Sequence, residues 1–116
     1  SKTFAKKVDG GWVINGSKIY ITNGSTRLCA GVTVQAVTGQ KGPGNPELSC
    51  FIVEAGTKGF TAKSMHGKMM WRSSDTSELY FEDVFVPDAN LLGKQGDGSK
   101  QMLATLDRGK IGIAAM

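Results

Sequence analysis

The chain has 116 residues, 14 Lys and Arg against 10 Asp and Glu, and a formal net charge of +4. The length fits one small domain, and the scattered charges lack the clustered Lys/Arg of a nucleic-acid surface; an anionic small molecule accounts for the mild basicity at least as well. No apolar stretch reaches the roughly eighteen residues of a membrane span, and two cysteines are too few for a disulfide framework.

Sixteen glycines sit between short β-branched and aromatic runs, the pattern of a β domain with many turns. Trp12-Val13-Ile14 and Lys18 to Thr22 flank Asn15-Gly16, whose residues accept the positive φ angles of a tight turn; this predicts a hairpin. Asn23-Gly24 should end its second strand. Ala30–Thr38 and Leu48–Ala55 read as strands, with Cys29 and Cys50 as reduced, half-buried or core thiols in these runs. Gly39–Pro46, with three Gly and two Pro, reads as a loop. Gly56 and Gly59 bracket a turn before a short strand, Phe60–Met65. Met65–Ser77 is polar and predicts a loop. Glu78–Val86 is a strong strand that Pro87 stops, because Pro brings no donor to the ladder. From Ser99, a candidate N-cap, Met102, Leu103, Leu106, Ile113 and Met116 recur at helical spacing. Gly109 and Gly112 cost that helix about 1 kcal/mol each relative to Ala. The helix reads as truncated at Met116. The sum is a mainly β chain: an antiparallel six- to seven-stranded barrel or sandwich with the start of a C-terminal helix. Fold alone assigns no function.

Several strings then resemble one family in order and spacing. Asn15-Gly16-Ser17-Lys18-Ile19-Tyr20-Ile21-Thr22-Asn23-Gly24 resembles the second flavin-contact motif of acyl-CoA dehydrogenases. Arg72-Ser73-Ser74-Asp75-Thr76, Leu79 to Val84, Val86-Pro87, Asn90 to Gly93 and Leu106 to Ala114 continue the resemblance, and the last helix is most similar to the short-chain members. The resemblance implies a middle β-domain over 1–98 and the opening of the first helix of a C-terminal helical domain over 99–116. It also implies FAD as cofactor, an acyl-CoA substrate, an electron-transfer flavoprotein as acceptor, and a full-length homotetramer or homodimer. The location it implies is the cytoplasm, or the mitochondrial matrix in a eukaryote. The family's first flavin motif, ending Gly-Ser-Asp, is expected just before Ser1.

By the same resemblance, Tyr20, Ile21 and Thr22 are the cofactor contacts. Tyr20 stacks on the flavin where relatives often carry Trp, Thr22 offers a hydroxyl near N5, and Ile21 turns into the core. Tyr20 and Thr22 are two apart on a strand and should share a face. Asp107, Arg108, Gly109 and Lys110 are the expected CoA contacts. Lys110 stands where relatives have Arg, keeping the charge without the planar fork. Some relatives place their catalytic Glu at the position of Gly109, so no catalytic residue is expected within the chain and the base should lie beyond it.

The bland readings of the remaining residues are structural. Arg72 to Thr76 has no His to activate a serine and reads as a self-bonded turn. His66 is a lone histidine without metal-ligand spacing. Trp12 and Trp71 read as core or subunit-interface anchors, and Gly96-x-Gly98 is not a dinucleotide fingerprint. An acyl-CoA oxidase, a flavin monooxygenase-like relative and a non-catalytic β-barrel binding module stay open as alternatives.

Overall fold

The computed structural model describes residues 3–116. Six strands form one sheet: β1 (Phe4–Val8), β2 (Gly11–Thr22), β3 (Gly31–Gly42), β4 (Asn45–Glu54), β5 (Phe60–Ser64) and β6 (Thr76–Pro87). A 3-10 turn (Asp88–Asn90) and one helix, α1 (Gly98–Ala114), follow. The strand order is β4-β3-β1-β2-β6-β5. All pairings are antiparallel except β1 with β3, which meet in parallel at Phe4 and Val37.

The sheet curls on itself. Phe51 and Val53 of β4 share one apolar cluster with Phe81, Val84 and Val86 of β6, although three strands lie between them in the sheet order. Ile14, Val34 and Ala36 complete its centre, and Trp12 packs on Phe51 with ring centroids 5.3 Å apart. Burial of each Phe or Ile stabilises the curl by roughly 1.5–3 kcal/mol before entropy is counted. The segment after β6 closes the free edge of β4: Leu92 N–H donates to the Cys50 carbonyl (2.9 Å) and the Asn90 amide to the Ile52 carbonyl (2.9 Å). This protects backbone groups that an open edge would leave unpaired.

Three expectations need correction. Asn15-Gly16 is not a turn. The reversal lies earlier, at Asp9-Gly10, and creates β1, a strand the sequence pattern did not reveal. Asn15 instead spends its side chain on the neighbouring strand: its Oδ1 accepts from Asp83 N–H (2.9 Å) and its Nδ2 donates to Asp83 Oδ1 (2.9 Å). Second, Gly39–Pro46 is mostly strand, with only Pro43-Gly44 turning; Pro46 is tolerated because β4 is an edge strand. Third, the N-cap of α1 is Asp97 rather than Ser99, and no side chain caps it. Of the tryptophans, Trp12 is core at 3% exposure, whereas Trp71 is 78% exposed on the loop before β6.

Candidate functional site

The predicted cofactor residues lie where β2 leaves the sheet. Ile19 and Tyr20 stand opposite the single Glu78 of β6, so β2 carries a bulge there. Tyr20 takes the left-handed conformation (φ 61°), and so does Asn23 (φ 59°) three residues on. For a bulky residue such as Tyr this costs on the order of 1–2 kcal/mol, and the surrounding contacts must hold it. Tyr20 is 70% exposed, Thr22 is exposed, and Ile21 packs partly against the core. The expected exposure pattern therefore appears, but through a bulge and not through regular strand alternation.

The contacts that hold this end come from the start of β6. Ser77 Oγ donates to the Ile21 carbonyl (2.9 Å), and Asn23 N–H donates to the Asp75 carbonyl (3.1 Å). The Asp75 carboxylate accepts from Ser25 N–H (3.1 Å), Ser25 Oγ (2.7 Å) and Ser64 Oγ (3.0 Å). Chiefly the Ser25 hydroxyl, then the Ser25 N–H, the Ser64 hydroxyl and the Lys68 charge, hold Asp75 below the ordinary carboxylate value against a smaller opposing effect of burial. Gly24 is buried, and a Cβ there would lie 2.4 Å from Ser77 Oγ. The Arg72–Thr76 stretch opens on the expected local turn, with Ser74 N–H donating to the Trp71 carbonyl (3.1 Å), but the Asp75 side chain is not spent on it. Asp75 reaches a residue fifty positions away, while Lys68 Nζ donates to Thr76 Oγ1 (2.9 Å) and to the Ser74 carbonyl. No local pattern could have signalled these long-range partners.

Ile21, Thr22, Gly24, Cys29 and Val32 help line an open hollow of about 520 Å³; Tyr20, one residue upstream, is not in its lining. A second hollow of about 300 Å³ joins Lys18, Ile21, Val32 and Leu79 to Met102 of α1. Burial lowers the Lys18 ammonium and raises the Cys50 thiol, each partly offset by the charge of the other, which makes Cys50 an inert thiol. Volumes of this order, walled by apolar groups with a few polar ones, suit a small, partly apolar ligand.

The predicted CoA residues are grouped separately on α1. Asp107, Arg108, Gly109 and Lys110 are all exposed, and Lys110 Nζ pairs with Asp107 Oδ1 at 3.1 Å. They follow Met102 by five to eight residues, about 7–12 Å along a helix. The base of α1 is fixed: Gly96 N–H donates to Ser49 Oγ (2.9 Å), Lys41 Nζ to the Gly96 carbonyl (2.8 Å), and a Cβ at Gly98 would lie 2.7 Å from the Leu48 carbonyl oxygen. Beyond that base, Leu103, Leu106, Ile111 and Ile113 are exposed. No helix is long and apolar enough to cross a membrane among the described residues.

Residues 1–84 match the family model of the acyl-CoA dehydrogenase middle domain. The short-chain-specific acyl-CoA dehydrogenase of Megasphaera elsdenii is 44% identical over 110 residues, which is 95% of this chain and 28% of that protein. A chain in the solved structure of the electron transferring flavoprotein of Acidaminococcus fermentans superposes with a TM-score of 0.86 at 41% identity, covering 99% of this chain and 30% of that one. A glutaryl-CoA dehydrogenase from Mycobacterium smegmatis in complex with FADH2 does so with a TM-score of 0.72 at 35% identity, covering 83% and 23%. The chain thus spans less than a third of the length of these relatives. It belongs to the acyl-CoA dehydrogenase family.

Proposed function

We propose that residues 1–98 are the middle β-domain, and residues 99–116 the opening of the C-terminal helical domain, of a flavin-dependent acyl-CoA dehydrogenase. The observation that carries this is the end of β2, where the exposed Thr22 lines an open hollow and the exposed ring of Tyr20 stands two residues before it on the chain. When bound, FAD supplies the hydride acceptor for α,β-dehydrogenation of an acyl-CoA thioester. Tyr20 offers its ring face to the flavin, Thr22 its hydroxyl, and Ile21 anchors the strand between them. Arg108 and Lys110 meet the anionic part of CoA, with Asp107 and Gly109 on the same stretch; Lys110 exchanges its partner Asp107 for the ligand. Gly109 offers no carboxylate, so the α-proton goes to a carboxylate outside residues 1–116. The 116-residue chain alone therefore turns over no substrate and retains little flavin. The electron acceptor is an electron-transfer flavoprotein, the full-length enzyme is a homotetramer or homodimer, and it works in the cytoplasm or, in a eukaryote, the mitochondrial matrix.

An anaerobic visible spectrum of the full-length enzyme, titrated with acyl-CoAs of graded length, tests the reading. Bleaching of the flavin band by one length class supports it and identifies the substrate. A flavin band that no acyl-CoA bleaches would keep the cofactor and overturn the reaction. Absence of flavin would overturn both.

A further inference from the structure

Asp75 belongs to no catalytic pair, yet three donors from two separate segments converge on its carboxylate: Ser25 N–H, Ser25 Oγ and Ser64 Oγ. We propose that Asp75 is a positioning residue for the flavin, holding the turn at Asn23–Ser25 and through it the left-handed pose of Tyr20. The proposal rests on the reading of Tyr20–Thr22 as flavin contacts.

Tyr20 occupies a backbone region that bulky side chains disfavour, and such a residue persists only where its surroundings over-determine it; Asn23 tolerates the same region. The start of β6 supplies that constraint. The Asp75 carbonyl takes Asn23 N–H, the Asp75 carboxylate takes Ser25 twice, and Ser77 Oγ grips the Ile21 carbonyl. Asp75 is itself fixed from behind, because Lys68 Nζ bonds the Ser74 carbonyl and Thr76 Oγ1 on either side of it. An amide replaces the carboxylate only in part. With its oxygen toward Ser25 N–H and its NH2 toward the Ser25 and Ser64 hydroxyls, which rotate to accept, Asn can keep the three contacts but loses the charge that strengthens them. Substitution therefore weakens the hold on the turn while leaving the shape of the side chain unchanged.

The test compares full-length holoenzymes carrying Asp75→Asn, Ser25→Ala, both together, Tyr20→Ala and, as a structural control, Asn15→Ala. Each is measured for its FAD dissociation constant, its flavin absorption spectrum and the melting temperature of the flavin-free protein. Asp75→Asn should raise the FAD constant about tenfold and Ser25→Ala about threefold, in line with the loss of charge-assisted hydrogen bonds. The double variant should bind no more weakly than Asp75→Asn alone, because the two groups share one interaction. Both should shift the flavin band. Asn15→Ala should lower the melting temperature while leaving the FAD constant within about twofold. If Asp75→Asn and Ser25→Ala behave as Asn15→Ala does, while Tyr20→Ala weakens FAD, the positioning role is overturned and the flavin reading stands. If Tyr20→Ala also leaves FAD unchanged, the flavin reading falls and the positioning role with it. Should Asp75→Asn fail to fold, Ser25→Ala decides alone.

Discussion

Strand β2 meets β6 across two bulges, and they are built for opposite ends. At the first, Glu82 and Asp83 of β6 stand opposite Asn15, and Asp83 takes the left-handed conformation (φ 49°). Its strain is answered on the spot, since the Asn15 side chain bonds both the backbone and the carboxylate of Asp83. At the second, the left-handed residue is Tyr20 of β2, whose side chain stands 70% exposed. Its restraints come from the backbone around it and from Asp75 and Ser77, and the ring is left free. A bulge that satisfies itself bends a sheet; one that leaves an aromatic side chain unspent presents it.

The largest expected effect tests the ground common to both bulges. Phe81 pairs with Gly16 beside the first bulge, lies in the core and stacks on Phe60 at 5.1 Å. Phe81→Ala should cost about 3–5 kcal/mol in urea unfolding and affect both bulges alike. Gly24→Ala should act on the second alone. Its Cβ meets Ser77 Oγ at 2.4 Å and breaks the grip on Ile21, costing about 1–3 kcal/mol. Asn15→Ala should cost about 1 kcal/mol, read as a lower urea midpoint with an unchanged slope.

The smallest effect follows from charge. Asp75 is held below its ordinary value in the fold, so its stabilisation is complete at neutral pH. That stabilisation fades as pH falls below the unfolded carboxylate value and through the lower folded one. The melting-temperature gap between wild type and Asp75→Asn should therefore be constant at neutral pH and narrow as pH falls below about 5. A gap that widened on acidification would show that the carboxylate does not serve in its charged form.

The same pair of bulges shows what the sequence could and could not reveal. Strands β4, β5 and β6, the stop at Pro87 and the helix were legible because alternation, Pro and helical spacing are local signals. Asp9-Gly10 and Asn15-Gly16 look alike locally, and only one of them turns. The choice is made by Asp83, sixty-eight residues beyond Asn15, through the bonds that keep β2 straight past Gly16. The exposure of Tyr20 and Thr22 was anticipated from a two-residue period, but nothing in a Tyr announces a left-handed bulge. The Asp75–Ser25 contact was hidden for the same reason: both residues favour local bonds, and the fold brings them together across fifty positions.

The free ring at the second bulge is the centre of the account, and Tyr20→Gly in the full-length enzyme tests it most directly. Glycine adopts φ 61° without strain and gives up an exposed side chain, so the flavin-free protein should gain about 0.5–1 kcal/mol and melt higher. The same variant should lose FAD on dialysis under conditions in which wild type keeps it. A variant that melts lower, or that keeps FAD as tightly as wild type, would contradict the claim that strain at Tyr20 is maintained to present its ring to the flavin.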